Sequence, residues 1–453
     1  MITLEQLQAG LLRGIKRLDM SCGLTEFPRE IFDLADSLEI LNLSGNQLSS
    51  LPDDLPRLHK LRVIFCSDNL FTELPAVLGS CKRLTMVGFK ANQISNVPYE
   101  ALAPTLRWLI LTDNRIQSLP SSIGQCRQMQ KLMLAGNQLS ELPAELGNCT
   151  QLELLRLSAN QFSVLPPWLL TMPCLAWLAI AGNPLTDSFE AARQAPSMAE
   201  IDWQDIELGA KLGEGASGVI YQAKLRQAHL PAKEVAVKLF KSAVTSDGMP
   251  RSEMAASIAV GLHPHVVGVS GQISHHSNEA MGLNMGLVMP LISSDFINLA
   301  QPPSLDSCTR DIYSQETVLS LQELCSLALG MARAAEHLHA CGILHGDLYA
   351  HNILHNAERH GLLGDFGAAS FLPMNDVDSA QSLQRIDVRA FGILLGELLA
   401  QCSESAGDAE QGARAKLMAL QQRCTQADVS ARPLFADVAR ALHVYMEVDS
   451  SMS

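Results

Sequence analysis

The sequence is poor in charge and in aromatic rings. Charged residues make up 18% of the 453 positions, below the usual quarter, and aromatics 5%, with 4 Trp and 5 Tyr. With 47% hydrophobic residues the chain has too much apolar content for a disordered polymer, so a globular class is expected. It lacks any run of roughly 18 apolar residues, the length a membrane-spanning helix requires. A basic surplus is missing too: 33 basic residues face 47 acidic ones, a net charge of −14. Up to position 200 the balance is 16 to 19, and beyond it 17 to 28. Nucleic acid or an anionic membrane is therefore disfavoured as the main partner, since phosphate binding needs a basic face. The N-terminal run MITLEQLQAGLLRG has no basic head followed by a long apolar stretch and a small-residue cleavage site, so a cytoplasmic protein is expected. Leaderless secretion would leave no mark. The 11 cysteines, an odd number, point to reduced thiols rather than a disulfide framework.

Leucine is what the chain has in excess. Of 71 leucines, 39 fall in the first 200 residues, so the two halves are built differently. Asparagine recurs at Asn46, Asn69, Asn92, Asn114, Asn137, Asn160 and Asn183, at spacings of 23, 23, 22, 23, 23 and 23. Apolar residues mostly stand three, five and eight positions before it, as Leu152, Leu155 and Leu157 do before Asn160. A Leu-Pro or Val-Pro pair follows each of the first six asparagines, from Leu51-Pro52 to Leu165-Pro166. A fixed period of this length marks a stacked, quasi-one-dimensional array. Alternate apolar residues of a short strand point inward, the asparagine amide satisfies backbone where the chain turns, and the proline starts a return path that needs no ladder donor.

The pattern resembles the leucine-rich repeat family. It predicts an α/β solenoid of about eight repeats over residues 1–195, including an irregular opening unit, LDMSCGLTEFP. The position six before each asparagine is expected on the concave face: Ile40, Val63, Met86, Trp108, Lys131, Leu154 and Trp177, with Phe65, Ile110 and Met133 beside it. An apolar stripe with two tryptophans, Trp108 and Trp177, suggests a protein-binding surface; docking against the chain's own second half is the other reading. Cys81, Cys126, Cys149 and Cys174 each stand a few residues before a repeat strand and read as buried packing. A short capping helix and a linker over residues 196–204 are expected next.

The chemistry lies beyond. Gly213, Glu214, Gly215, Ala216, Ser217, Gly218 and Val219 fit GxGxxG-V, a weak signal alone because dinucleotide-binding folds share it. A dinucleotide site needs a helix directly after the glycines, whereas Val219-Ile220-Tyr221 continues as a strand and a second strand brings Val235-Ala236-Val237-Lys238. His345-Gly346-Asp347-Leu348-Tyr349-Ala350-His351-Asn352 follows, then Asp365-Phe366-Gly367, Asp387-Val388-Arg389-Ala390-Phe391-Gly392 and Arg432-Pro433.

In this order the motifs resemble the protein kinase family over residues 205–446, an α+β bilobal fold. The resemblance implies ATP and Mg²⁺, with the glycines admitting backbone N–H groups to the phosphates and Ala236 and Met289 beside the adenine. It gives Lys238 the α and β phosphates, Glu253 the role of holding Lys238, Asn352 and Asp365 the metal, and Asp347 the substrate hydroxyl proton. His339, Cys341 and His345 in HLHACGILH have the look of metal ligands but read as the run from helix into catalytic loop. His275-His276 reads as a solvated loop.

The match departs on the acceptor side. Gly346 replaces the arginine that in many relatives pairs with a phosphate on the activation loop, so that form of switching is not expected. The stretch between Gly367 and Asp387 is 19 residues and lacks Ala-Pro-Glu, and Tyr349 stands where many serine/threonine kinases have lysine. Two functions follow: a protein kinase acting on serine or threonine, its targets recruited by the repeats, or an ATP-binding scaffold without transfer.

Overall fold

The computed structural model describes residues 3–191, 198–215, 217–227, 231–241, 244–245, 247–274, 285–403 and 408–450. The chain divides into two compact units, Met1–Cys174 and Leu175–Ser453.

In the first unit a short helix, α1 (Leu4–Gln8), opens with a capping box between Thr3 and Gln6. Each repeat then supplies a three-residue strand: β1 (Arg17–Asp19), β2 (Ile40–Asn42), β3 (Val63–Phe65), β4 (Met86–Gly88), β5 (Trp108–Ile110), β6 (Lys131–Met133) and β7 (Leu154–Arg156). They pair in parallel and in chain order, with the residue six before one asparagine opposite its equivalent in the next repeat. The repeated Leu-Pro pairs do what their chemistry suggests. Pro75, Pro120 and Pro143, at φ −60, −71 and −62°, each lead into a 3-10 turn, because the ring fixes φ where no donor is needed.

The asparagines explain the period. Asn137 Nδ2 donates to Leu111 O at 2.9 Å and Leu134 O at 3.0 Å, while its Oδ1 accepts from Ile116 N at 3.0 Å. Asn160 repeats this with Leu134, Leu157 and Leu139. One buried amide thus satisfies backbone groups of two successive coils, which fixes its place in each. Cys81, Cys126 and Cys149 are buried packing residues, as expected, whereas Cys174, nine rather than eleven positions before its asparagine, is only half-buried. Cys126 Sγ donates to Ala103 O and Cys149 Sγ to Ile123 O, and burial pushes these two thiols up to about 12 and about 11.

The concave stripe is not the open apolar patch expected. Val63, Met86, Lys131 and Leu154 are buried, and Ile40 and Trp108 half-buried. Trp108 is enclosed by its neighbours on the next strand, with Lys131 Nζ 4.7 Å from the ring centroid and its Nε1 on Met133 Sδ at 3.4 Å. Strands lie only about 4.8 Å apart, so large side chains at equivalent positions cover one another. Trp177 belongs to the second unit and is 1% exposed, which removes it from any free partner surface.

The second unit begins with β8 (Trp177–Ala179), which carries the last repeat motif, and α2 (Pro184–Ala191), the capping helix expected there. The expected linker is only partly one: residues 196–197 lie outside the described residues, but β9 (Glu200–Asp202) is a strand. The remaining strands of its sheet are β10 (Ile206–Glu214), β11 (Gly218–Leu225), β12 (Lys233–Phe240), β13 (Gly271–Ser274) and β14 (Met285–Pro290), in the order β10-β11-β12-β14-β13-β9. The physical reason for β9 is Ile201, 3% exposed and packed with Val237, Ile273 and Val288. Helix α3 (Pro250–Val260) lies between β12 and β13 in sequence.

The other lobe is mainly helical. It comprises β15 (Ile297–Asn298), α4 (Leu321–Ala340), β16 (Ile343–Leu344), β17 (Ile353–His355), β18 (Gly361–Leu363), β19 (Ser370–Phe371), α5 (Val377–Ala400), α6 (Asp408–Cys424) and α7 (Phe435–Ser450). Helix α4 starts at a capping box of Ser320 and Glu323 and buries Leu324, Ala328, Met331, Ala335 and Leu338, one face at helical spacing. The fold is thus the expected solenoid sequence pattern followed by a bilobal α+β domain. No helix among the described residues is long and apolar enough to cross a membrane. His275 and His276 lie outside the described residues.

The stretch after Gly367 is shorter as a loop than its sequence length suggests. Asp376 caps α5 by accepting from Ser379 N, so the helix begins at Val377, ten residues before Asp387. Arg432, 1% exposed, donates to the backbone oxygens of Gln426 and Arg385.

Candidate active site

A cavity of about 450 Å³ lies in the second unit, lined by Leu212, Ala236, Met289, Asn352, Leu354 and Asp365 among others. The sheet positions its upper wall: Ala236 pairs with Met289 across β12 and β14, and Pro290 and Leu291 continue along the rim.

The glycine loop joins β10 to β11 as a hairpin, so a strand does follow the glycines. Gly218 is needed by the protein itself, because a Cβ there would come 2.5 Å from Leu239 O. Gly213 and Gly215 are different: a Cβ on either would meet nothing within 4 Å. No atom among the described residues demands glycine at those two positions, which suits space kept for a ligand's phosphates. Ser217 O accepts from Lys241 N, Gly215 N donates to Gly218 O at 2.9 Å, and Val219 is buried; Ala216 lies outside the described residues. Glu214 turns to Lys211 and Lys241, at 2.5 and 2.6 Å, and those hydrogen bonds hold its carboxyl down at about 2.

Lys238 on β12 is paired with Glu253 on α3, as expected. Glu253 is 3% exposed, and its second oxygen, Oε2, is buried without a hydrogen-bond partner among the described residues. The loop of residues 345–352 runs between β16 and β17. Asn352 Nδ2 donates to both the backbone oxygen and Oδ2 of Asp347, each at 2.9 Å, which closes the loop on itself. Asp365 has φ +54° and an exposed side chain on the cavity, with Gly367 N donating to its Oδ1 at 3.1 Å. Phe366 is buried against His345, the ring centroids 5.5 Å apart. Asp365 and Asn352 thus present oxygen donors at one cavity wall, a set that suits a hard cation such as Mg²⁺.

Asp387 braces the loop from below. It is fully buried and accepts from His345 N at 2.8 Å and Gly346 N at 3.0 Å, with His339 Nε2 at 3.0 Å. His339 and His345 are thereby engaged in the fold, His345 Nε2 reaching Gly364 O at 3.0 Å.

A second brace went unseen in the sequence. Asp311, from the segment between β15 and α4, binds His351 Nδ1 at 2.7 Å and accepts from its backbone N at 3.0 Å. Burial opposes the charged form of His351, but the bond to Asp311 and the negative charges of Asp311, Asp347 and Asp365 outweigh it and raise its pKa. Only the position of His351 next to Asn352 could have pointed here; its partner is 40 residues away. Asp311 in turn acts on Glu397. Burial, then the charge of Asp311, pushes the Glu397 carboxyl up to about 7, while Tyr313 Oη donates to it at 3.2 Å.

The folded pKa of Glu397 exceeds the ordinary 4.5, so the folded state binds this proton more tightly than the unfolded chain. The associated stability is complete below pH 4.5 and is lost as pH rises through 7. Glu397→Gln removes that loss. Its chemical-denaturation stability is expected to exceed the wild type's above pH 7 by on the order of 3 kcal/mol, the gap closing below pH 4.5. Identical pH profiles for the two proteins would contradict the assignment.

Residues 206–389 match the model described as protein tyrosine and serine/threonine kinase, and residues 37–58 and 104–162 match leucine rich repeat models. Fibroblast growth factor receptor 1 of Pleurodeles waltl is 25% identical over 251 residues, 49% of this chain and 30% of the receptor. Leucine-rich repeat and calponin homology domain-containing protein 1 of Mus musculus is 30% identical over 136 residues, 28% of this chain and 19% of that protein. Serine/threonine/tyrosine-protein kinase HT1 of Arabidopsis thaliana is 22% identical over 318 residues, 60% of this chain and 74% of the kinase. The chain therefore spans less than a third of the first two relatives and most of the third. With the glycine loop, the Lys238–Glu253 pair and the Asp347–Asn352 loop in place, these likenesses have one meaning: the chain joins leucine-rich repeats to a domain of the protein tyrosine and serine/threonine kinase family.

Proposed function

We propose that the chain is an active protein kinase that transfers the terminal phosphoryl group of ATP to serine and threonine hydroxyls of protein substrates. The observation that carries this is the assembled Lys238–Glu253 pair, since a lysine already held by a buried carboxylate is ready to meet phosphate charge. Gly213 and Gly215 leave room for backbone N–H groups to approach the phosphates, and Ala236 and Met289 flank the base. Asn352 and Asp365 would hold Mg²⁺, which when bound neutralises charge on the phosphate oxygens. Asp347 accepts the hydroxyl proton as the acceptor oxygen bonds to phosphorus and the bond to the leaving ADP breaks. Asn352 fixes the Asp347 carboxylate for this through its Oδ2.

The repeats are proposed to recruit protein partners, Trp108 being the concave tryptophan that is only half-buried. A second reading, an ATP-binding scaffold without transfer, draws on the short path from β19 to α5 and the absence of Ala-Pro-Glu. Phosphoamino-acid analysis after incubation with γ-labelled ATP and Mg²⁺ tests the choice. Label is expected on serine or threonine; label confined to tyrosine would overturn the acceptor class, and no label with ATP bound would favour the scaffold.

A further inference from the structure

Strand β8 makes a set of contacts that the ATP cavity does not require. The Trp177 indole stacks on Tyr349 with centroids 4.0 Å apart and planes 7° from parallel, and its Nε1 donates to Leu348 O at 3.2 Å. The Arg310 guanidinium carbon lies 5.7 Å from the same ring centroid. One residue on, Leu178 O presses on Gly346, where a Cβ would come within 2.4 Å of it and 2.9 Å of Ala368 O. Gly346 also has φ +72°, a left-handed conformation that glycine alone adopts readily. Past the end of the strand, Ile180 N donates to Ser370 Oγ at 3.2 Å, on the strand that pairs with β16 just before the catalytic loop.

These contacts fall on both chain neighbours of Asp347 and on the segment after Gly367. Leu348 is held by its carbonyl, Tyr349 by its ring, and Gly346 by a backbone approach that leaves no room for a side chain. We propose that Trp177 is a positioning residue for Asp347: β8 holds the catalytic loop in its working shape in the place where a side chain at position 346 would otherwise lie. The glycine in His345-Gly346-Asp347 is then the sequence trace of that strand. Because the brace is part of the chain, the loop is set without modification of the residues after Gly367. This rests on the reading of Asp347 as the group that takes the hydroxyl proton.

The test uses the full chain with Trp177→Ala and Trp177→Phe. Two readouts are taken: steady-state phosphoryl transfer with ATP varied, and amide hydrogen exchange across residues 344–352, α4 and α5. Small misplacement of a reacting group costs up to about 10²-fold. Trp177→Ala is therefore expected to lower kcat by about 10- to 100-fold while KM for ATP moves less than about threefold, the split that marks loss of transition-state alignment rather than of binding. Exchange should quicken at residues 344–352 and stay unchanged in α4 and α5. Trp177→Phe keeps a ring on Tyr349 and should recover most of both. Unchanged loop exchange in Trp177→Ala would overturn the proposal, as would a rise in kcat, which would make β8 a block instead of a brace. Faster exchange throughout α4 and α5 in both variants would also count against it, as general destabilisation. A wild type that transfers no phosphate sinks the kinase reading alone, and the exchange comparison still decides the role of Trp177.

Discussion

Lys238→Met is expected to destabilise the protein by about 3 kcal/mol or more and to abolish phosphoryl transfer. The stability loss comes from what is left behind. Glu253 is 3% exposed and one of its oxygens already lacks a partner among the described residues, so removing the ammonium strands a buried carboxylate. Breaking a buried ion pair from one side typically costs about 3–5 kcal/mol, whereas replacing both partners with apolar groups is often neutral. Lys238→Met combined with Glu253→Leu should accordingly regain most of the stability in urea denaturation without regaining activity. If Lys238→Met alone unfolds at the wild-type urea concentration, the pair is not buried as described.

Asp347→Ala should lower transfer by about 10²–10⁴-fold, the usual worth of a positioned proton acceptor, while ATP still binds. The site geometry separates the two effects. Asp347 does not line the cavity, and Asn352 Nδ2 also donates to the Asp347 backbone oxygen at 2.9 Å, a bond that alanine keeps. The loop should therefore hold its shape and lose only the carboxylate. Equal transfer by wild type and Asp347→Ala would remove Asp347 from the chemistry, and loss of ATP affinity would mean that the loop had collapsed.

How much of this was legible depended on whether each constraint is local in sequence. The asparagine ladder was readable because the same amide must bridge adjacent coils at every turn, so the requirement repeats. The glycine loop, Lys238, Asp347, Asn352 and Asp365 could be picked out because each sits in a short motif; of these, Asn352 and Asp365 line the cavity, Lys238 meets Glu253, and Asp347 is held by Asn352. What escaped depends on contacts distant in sequence. Gly346 was visible as a departure, but nothing near it in sequence says that Leu178 O occupies the space. Trp177 matches the other concave residues in repeat position, and docking against the chain's second half, the other reading of the stripe, holds for it; what the sequence could not give is the partner, Tyr349, over a hundred residues away. Asp311 carries no motif at all, and its hold on His351 exists only once β15 and the catalytic loop are brought together. The strand at Glu200–Asp202 was missed for a similar reason: Ile201 stands between two acidic residues, Glu200 and Asp202, and it is the sheet that gives it a place.

The most direct test is a single incubation of the purified full chain with γ-labelled ATP, with and without Mg²⁺, beside a measurement of ATP binding. Mg²⁺-dependent label on serine or threonine, of the chain itself or of an added protein, is the predicted result. ATP bound at the cavity with no phosphate transferred in either condition would contradict it.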